Sequence, residues 1–424
     1  MVSSRHPFGS DPYPGAGRIL FVGDVHGSHA RSWMNVLRGS EINVRCFGSV
    51  NGVIPADFDL PTYSPLPQYP LSPNIRPLFT NHWLISALLR EIDGLYNGRL
   101  TEWALHRVLR KWRPNVVHSF GIFPASESYL RVQSRLGADK PLWVVQARGG
   151  PDIEVNRHLD DRRQTLHAIF QACDSFIADT DQNLDAAVGL GLPVGKCSSI
   201  GRVPGTGGID IDALAVGHTV PPSQRERLLF VPKAYEHLQS KVLPVLEALK
   251  IVWPRLAPCR VVCTAVNPDA LPWFHSLPAE MQASIEVHPR LPRERILELM
   301  TQARVVLAPS VMDGIPNTLL EAMAGGAIPI VSPLPTITPH VSEPENVFFA
   351  RNLYVHEIGD AILKAMDGGE QLDQMAQRNL SLVRNLGDRR QFEQPIRTYY
   401  AELLAQMRRP IETHTQALHK QGAM

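Results

Sequence analysis

Short apolar runs alternate with helical patterns along almost the whole chain, and this alternation constrains the fold more than any other feature. Candidate strands lie at 18–23, 43–49, 115–120, 141–147, 175–180 and 197–201, and again at 227–232, 260–266, 284–289, 304–310 and 327–332. Strands that are apolar on both faces and separated by helices form parallel sheets covered by helices on both sides. Between the two sets, HTVPPSQRER has the proline pair of an interdomain linker. The sequence therefore predicts two parallel α/β domains in tandem.

The boundaries follow from the same pattern. The predicted parts are a disordered leader (1–16), a first domain (17–217), a linker (218–227), a second domain (228–388), a closing helix (389–409) and a polar tail (410–424). Within the first domain, residues 52–80 contain seven prolines and are predicted to form a loop.

Composition excludes several classes of protein. Of the 424 residues, Lys and Arg number 42 and Asp and Glu 41, so no basic excess supports a grip on nucleic acid. The five cysteines are odd in number and show no C-x-x-C spacing, which favours a reducing compartment over disulfides or zinc. No apolar run approaches the ~20 residues of a membrane-spanning helix. We expect a cytoplasmic protein, with peripheral attachment at the inner face of a membrane left open.

The first strand ends in GDVHG, Gly23 to Gly27. Metal-dependent phosphoesterases open in this way, but the further ligand motifs that two metals need are missing. The alternative is a polar turn in which Asp24, His26 and His29 meet an acceptor. The spacing also lacks the three glycines of a dinucleotide-binding turn, which argues against an oxidoreductase.

A turn and a helix near the end of the second domain carry the strongest signal. Residues 304–332 read RVVLAPSVMDGIPNTLLEAMAGGAIPIVS, with Asp313 in the turn and Glu321 eight positions later on the helix. Pro316 begins the helix, as proline favours. The free N–H groups of Asn317, Thr318 and Leu319 are predicted to face an anion in the cleft. A helix that only packs inward would explain LLEAMA but not the Asp-Gly turn with its proline.

This segment resembles the signature of the retaining nucleotide-sugar glycosyltransferases of family four, E-G-x-P-x-x-x-x-E-A-M-A-x-G-x-P-V-V, which have the GT-B fold of two Rossmann-like domains facing a cleft. Asp313 replaces the first Glu of the signature, and Glu321 keeps the second. The resemblance implies that Glu321 contacts the donor ribose and that Asp313 contacts the donor sugar.

Weaker similarities run from about residue 17 to 405. PNVVHSFG with His118 is similar to the family's PDVVHxHG, and VVQARGGPD has Arg148 where a His is usual. Lys241 is preferred over Lys233 for the donor diphosphate, because it is expected at the start of a helix. Two alternatives stay open: His118 as a core residue and Lys241 as a solvated one. The residues assigned by the resemblance are as follows: catalytic, Asp313, His118 and Arg148; donor-binding, Lys241, Lys233, Ser310, Gly314, Pro316, Asn317, Thr318, Leu319 and Glu321; acceptor-side, Asp24, His26, His29, Gly149, Gly150 and Asp152.

The resemblance implies a hexosyltransferase that moves sugar from a nucleoside-diphosphate donor, UDP rather than GDP, with retention of configuration and without a metal or cofactor. The acceptor would be a glycan, a lipid-linked molecule or a small molecule. A metal-dependent phosphoesterase, a nucleotide-sugar epimerase and a non-catalytic sugar-binding relative remain as alternatives. Neither the donor sugar nor the oligomeric state is indicated.

Overall fold

A computed structural model describes residues 17–25, 27–49, 60–69, 71 and 74–408. The predicted leader, the polar tail, His26 and part of the Pro-rich segment lie outside the described residues. The described chain contains two sheets in which every pair of neighbouring strands is parallel, as predicted. None of the helices in these ranges is long and apolar enough to cross a membrane.

The first sheet has eight strands in the order β4-β3-β2-β1-β5-β6-β7-β8. They are β1 (Gly17–Gly23), β2 (Ile42–Gly48), β3 (Thr62–Ser64), β4 (Ile75–Pro77), β5 (Val116–Phe120), β6 (Leu142–Gln146), β7 (Ser175–Ala178) and β8 (Cys197–Arg202). The sequence predicted a loop where β3 and β4 lie, and that prediction was wrong. Both strands are only three residues long, and Pro77 ends the edge strand, where a missing N–H is tolerated.

The second sheet has six strands in the order β11-β10-β9-β12-β13-β14. They are β9 (Leu228–Val231), β10 (Arg260–Thr264), β11 (Ile285–His288), β12 (Val305–Leu307), β13 (Ile328–Val331) and β14 (Phe348–Phe349). The apolar residues of β9, β10, β12 and β13 are buried on both faces of the sheet, which is why unbroken apolar runs predicted these strands. The sequence also predicted β11, but not the two-residue edge strand β14.

Helices cover both faces of each sheet. Those before the second sheet are α1 (Ser28–Asn35), α2 (Trp83–Leu95), α3 (Arg99–Trp112), α4 (Glu127–Gln133), α5 (Pro151–Glu154), α6 (Asp160–Ala172), α7 (Asp181–Gly189) and α8 (Ile211–Ala215). Those that follow are α9 (Leu243–Leu256), α10 (Leu271–His275), α11 (Ala279–Gln282), α12 (Arg293–Gln302), α13 (Asn317–Ala324), α14 (Val355–Asp367), α15 (Glu370–Gly387) and α16 (Arg389–Arg408).

The last helix returns to the first domain. Ile396, Tyr400 and Leu404 of α16 are buried in one cluster with Ile19 and Phe21 of β1. The last helix of the described chain therefore contributes to the first domain's core.

The chain passes between the domains twice, and the two passages lie side by side. The Ile209 amide donates to the Gly387 carbonyl at 2.8 Å, and the Arg389 amide donates to the Ile209 carbonyl at 3.0 Å. Gly208, with φ of 89°, touches this crossing so closely that a Cβ would lie 2.7 Å from the Arg389 Cα. Residues 209–217, which the sequence assigned to the first domain, pack on the second through α8 and the buried side chain of Leu214.

Candidate functional site

The two domains meet where the turns after their central strands face each other. A Cβ on Gly150, after β6, would lie 3.2 Å from the Asp313 carbonyl oxygen, and a Cβ on Gly314 would lie 2.7 Å from Asp179 Oδ2. Asp313 and Gly314 follow β12, so both sheets bring the carboxyl ends of their strands to this contact. In open α/β sheets this is the edge at which ligands bind.

On the second domain, Asp313 is the centre of a small polar cluster. Its carboxylate accepts from the Lys233 ammonium, from the Ser310 hydroxyl at 3.3 Å and from the Gly314 amide at 3.0 Å. Burial alone would lower the pKa of Lys233, but the adjacent Asp313 carboxylate outweighs it and the pKa is raised. Lys233 is therefore a fixed cation at the cleft, held by the carboxylate that the signature predicted.

Glu321 lies on α13, two turns from Asp313, and its side chain is 2% exposed. Its carboxylate pairs with the Arg293 guanidinium at the start of α12, one of the two contacts being 3.2 Å between Nη1 and Oε2. Sequence reasoning missed Arg293, because nothing in the local pattern of α12 indicates which distant carboxylate it meets.

The amino end of α13 points at the first domain. The Leu319 amide donates to the Pro316 carbonyl at 3.0 Å, so the prediction that this N–H is free was wrong: the first turn is tightened after the proline. Asn317 and Thr318 keep amides without an acceptor within the described residues. The buried Thr318 hydroxyl also has no partner there. Two backbone donors and a hydroxyl at a helix start suit an anion.

Asn317 also reaches across the cleft. Its side chain lies 3.3 Å from the Thr206 hydroxyl and 3.2 Å from Nε2 of His29, at the start of α1. Loss of water around a ring placed between two domains lowers the pKa of His29, and the Arg148 charge lowers it further while Asp313 opposes both. A neutral imidazole offers one donor and one acceptor nitrogen to the cleft.

On the first domain, the Arg148–Gly150 turn is held by two residues that sequence reasoning missed. Asp179, directly after β7, accepts the Gly149 amide at 2.7 Å, and Asn183 donates to the Gly149 carbonyl at 3.0 Å and to Asp179 at 2.7 Å. Both ends of the Gly149 residue are thus fixed. Asp179 follows a buried strand, so the reasoning that singled out Asp24 would also have found it.

Arg148 and Asp152 share this turn without forming a side-chain ion pair in the described structure. The Arg148 amide donates to Asp152 Oδ2 at 2.7 Å, while the guanidinium lies 5.9 Å from the Phe120 ring centre and its Nε is buried without a partner. Burial raises the pKa of Asp152 to about 6, although Arg148 opposes the shift. Within the described residues, no carboxylate contacts the Arg148 guanidinium directly.

His118 lies in the core of the first domain. His118 is fully buried, stacks on Phe120 with ring centres 4.8 Å apart and hydrogen-bonds the Tyr400 hydroxyl. It does not line the cleft in this structure. Lys241 lies two residues before α9, which begins at Leu243, and its ammonium is 3.6 Å from the Glu236 carboxylate.

The Gly23–Gly27 turn is only partly described. A Cβ on Gly27 would lie 3.7 Å from Asp24 Oδ2, and His26 is outside the described residues. In the described part of the chain, no three His, Cys, Asp or Glu side chains are grouped so that they could hold a metal ion.

The buried state of His118 predicts a pH dependence of stability. Burial lowers the pKa of His118 to about 3, whereas an unfolded chain has a value near 6.5. The part of the free energy of unfolding that depends on a neutral His118 is therefore fully present above pH 6.5. It is lost as the pH falls towards 3, by at most ~1.4 kcal/mol per pH unit. We expect urea denaturation to show wild type losing more stability than His118→Gln between pH 6.5 and 5. Parallel losses would contradict a neutral, buried imidazole.

Comparison with known proteins agrees with this geometry. Residues 274–381, which include Asp313, Glu321 and Arg293, match the family model "Glycosyl transferases group 1". No curated protein sequence matches the chain. Among solved structures, HepE of Anabaena in complex with UDP-glucose has a TM-score of 0.63 at 12% identity, covering 92% of this chain and 99% of its own.

Two further structures have similar scores. Sucrose-phosphate synthase of Thermosynechococcus elongatus has a TM-score of 0.63 at 14% identity, with 92% of this chain and 100% of its own covered. The trehalose 6-phosphate synthase of Burkholderia multivorans has a TM-score of 0.62 at 12% identity, covering 92% of this chain and 99% of its own. The fold is GT-B, and the resemblance to the group 1 glycosyltransferases is confirmed over residues 274–381.

Proposed function

We propose that the chain is a glycosyltransferase that moves a hexosyl group from a nucleoside-diphosphate sugar to an acceptor hydroxyl, with retention of configuration and without a metal. One observation carries the proposal. Inside the segment that matches the group 1 model, the Asp313 turn lies directly against the Gly149–Gly150 turn of the first domain, and Asn317 at the amino end of α13 meets His29 and Thr206 of that domain. Donor-binding groups and acceptor-side groups thus share one cleft.

In this proposal the second domain binds the donor. Glu321 accepts hydrogen bonds from ribose hydroxyls, and Asp313 accepts from hydroxyls of the transferred sugar. The amides of Asn317 and Thr318, with the Lys233 ammonium nearby, face the diphosphate. UDP is favoured as the nucleotide because HepE, of similar fold, was solved with UDP-glucose.

The reaction breaks the bond between the sugar C1 and the diphosphate oxygen and forms a bond from C1 to the acceptor oxygen. The acceptor proton passes to the departing phosphate on the same face of the sugar, so the configuration is kept and no protein nucleophile is required. What the chain supplies is charge stabilisation: fixed cations and helix amides lower the energy of the leaving diphosphate as its charge develops. Contact between the domains would limit hydrolysis of the donor.

The first experiment is a thermal-shift panel with UDP, GDP, ADP, TDP and CMP, each with and without EDTA. UDP at a hundred times its Kd should stabilise the protein by ~2.7 kcal/mol. For a domain of this size that is a rise of about 5–10 °C in Tm, and EDTA should not change it. Transfer from UDP-sugars is then followed by NMR, where the product's anomeric coupling should match that of the donor.

The same panel extended with manganese, together with the transfer assay, separates the alternatives. A shift with manganese and with no nucleotide would favour the phosphoesterase, and loss of that shift in Asp24→Ala would support it. Conversion of the donor without any acceptor would favour the epimerase. Nucleotide binding without product after long incubation would favour a non-catalytic relative. Each of these outcomes would overturn the proposed transfer.

A further inference from the structure

The helix α2 exposes its apolar side chains and buries its polar ones. Seven of the 18 large apolar side chains exposed in the described residues fall between positions 83 and 103, namely Trp83, Leu84, Ile85, Leu88, Leu95, Tyr96 and Trp103. The buried side chains of α2 are Ser86 and Asp93. This is the reverse of a helix that packs on a protein core, and an exposed apolar face of this kind marks an interaction site.

Hydrogen bonds hold the polar side of α2 inward. The Ser86 hydroxyl donates to the Pro67 carbonyl at 2.7 Å, and Arg90 donates to the same oxygen at 3.0 Å. Asp93 accepts from the Leu100 amide at 2.7 Å and the Thr101 hydroxyl at 2.6 Å, which fixes the start of α3. Rolling α2 to cover its apolar face would break these bonds, so the face is held outward.

The exposed charges in this part of the chain are mostly basic. Between residues 74 and 113, six exposed side chains are basic and one, Glu91, is acidic; the basic ones are Arg76, Arg99, Arg107, Arg110, Lys111 and Arg113. On α3 the exposed Trp103 lies between Arg99 and Arg107 at helical spacing, and the Arg107 guanidinium is 5.5 Å from its ring. Aromatic and aliphatic side chains are thus interleaved with cations.

We propose that α2 and the exposed face of α3 bind the surface of an anionic phospholipid bilayer. Leu and Trp side chains enter the boundary between headgroups and acyl chains, while Arg and Lys remain among the anionic headgroups. A second copy of the chain would present six cations to six cations, and such a contact is repulsive. Charge complementarity therefore selects the bilayer.

The position of α2 relates the proposed membrane binding to the cleft. β4 is parallel to β1, and α2 begins shortly after β4 ends, so Trp83 and Leu84 stand at the sheet edge that carries Gly23 and Arg148. Three strand spacings, about 14 Å, separate β4 from β1. A docked first domain brings this edge close to lipid headgroups. Membrane binding therefore favours the lipid-linked class of acceptor, an inference that rests on the proposed transfer.

The test is co-sedimentation of the full chain with vesicles of phosphatidylcholine mixed with phosphatidylglycerol, against vesicles of phosphatidylcholine alone. Wild type should bind the mixed vesicles, and added salt should weaken binding. Leu84→Ser with Leu88→Ser should reduce the affinity at least tenfold, as should Arg107→Glu with Lys111→Glu. The matched control is Ile251→Ser with Leu353→Ser, two residues of the second domain that are equally exposed, and it should bind like wild type.

Unchanged binding by the Leu84/Leu88 variant, or no binding by wild type, would overturn the proposal. Self-association that this variant abolishes, with no affinity for vesicles, would assign the face to a second copy and also overturn it. Thermal unfolding of every variant should match wild type, because the substituted side chains point to solvent. The UDP-induced thermal shift does not depend on vesicles, so failure here leaves the proposed transfer standing.

Discussion

Replacing Gly314 by alanine is expected to lower kcat for sugar transfer by ~100-fold or more while leaving thermal unfolding close to wild type. The new Cβ would lie 2.7 Å from Asp179 Oδ2 and 3.2 Å from the Gly149 Cα. Neither atom is free to move, because Asp179 is hydrogen-bonded to Gly149 and Asn183. The domains would separate at their contact, and a displacement of about 1 Å is enough for a loss of this size. Steady-state transfer from a UDP-sugar measures it.

Two further variants make this result specific. A Cβ on Gly195 would meet nothing within 4 Å, so Gly195→Ala should transfer at the wild-type rate. Asp179→Ala removes the nearest obstructing atom, so its effect and that of Gly314→Ala should be less than additive when combined. Wild-type transfer by Gly314→Ala would contradict a catalytic cycle in which the domains meet at this contact.

The alternation of apolar runs was sufficient to predict the central strands of both sheets, because these strands are buried on both faces and leave an unbroken apolar run. The Pro-rich segment was misjudged for a related reason. β3 and β4 are three residues long and form because they pair in parallel with neighbouring strands. Pairing with a distant segment cannot be predicted from a local sequence pattern.

At the site, the sequence predicted residues within one segment better than it predicted their partners. Asp313 and Glu321 belong to one contiguous motif, and the structure places Asp313 at the face that meets the first domain. The cation beside each carboxylate, Lys233 or Arg293, comes from another strand or helix. Lys241 was preferred because a helix was expected to start near it, and the helix begins later. Local residue spacing does not predict long-range ion pairs of this kind.

Glu321→Gln is expected to weaken UDP binding at least tenfold, about 1.4 kcal/mol, because a neutral amide replaces a carboxylate in the hydrogen bonds proposed for the ribose hydroxyls. Isothermal titration measures the Kd. The probe that isolates the ribose contact is 2′-deoxy-UDP. Wild type should bind it several-fold more weakly than UDP, whereas Glu321→Gln should discriminate less between the two.

A second ion pair in the same domain, more exposed than that of Glu321, shows whether the effect belongs to the ribose. Glu286 pairs with Arg260 at 2.6 Å, as Glu321 pairs with Arg293, but it lies on β11 and outside the cleft contacts. Glu286→Gln should bind UDP and 2′-deoxy-UDP like wild type. If wild type itself binds the two nucleotides equally, Glu321 does not accept a hydrogen bond from the ribose 2′-hydroxyl. Its buried pair with Arg293 would then serve only to fix α12 against α13.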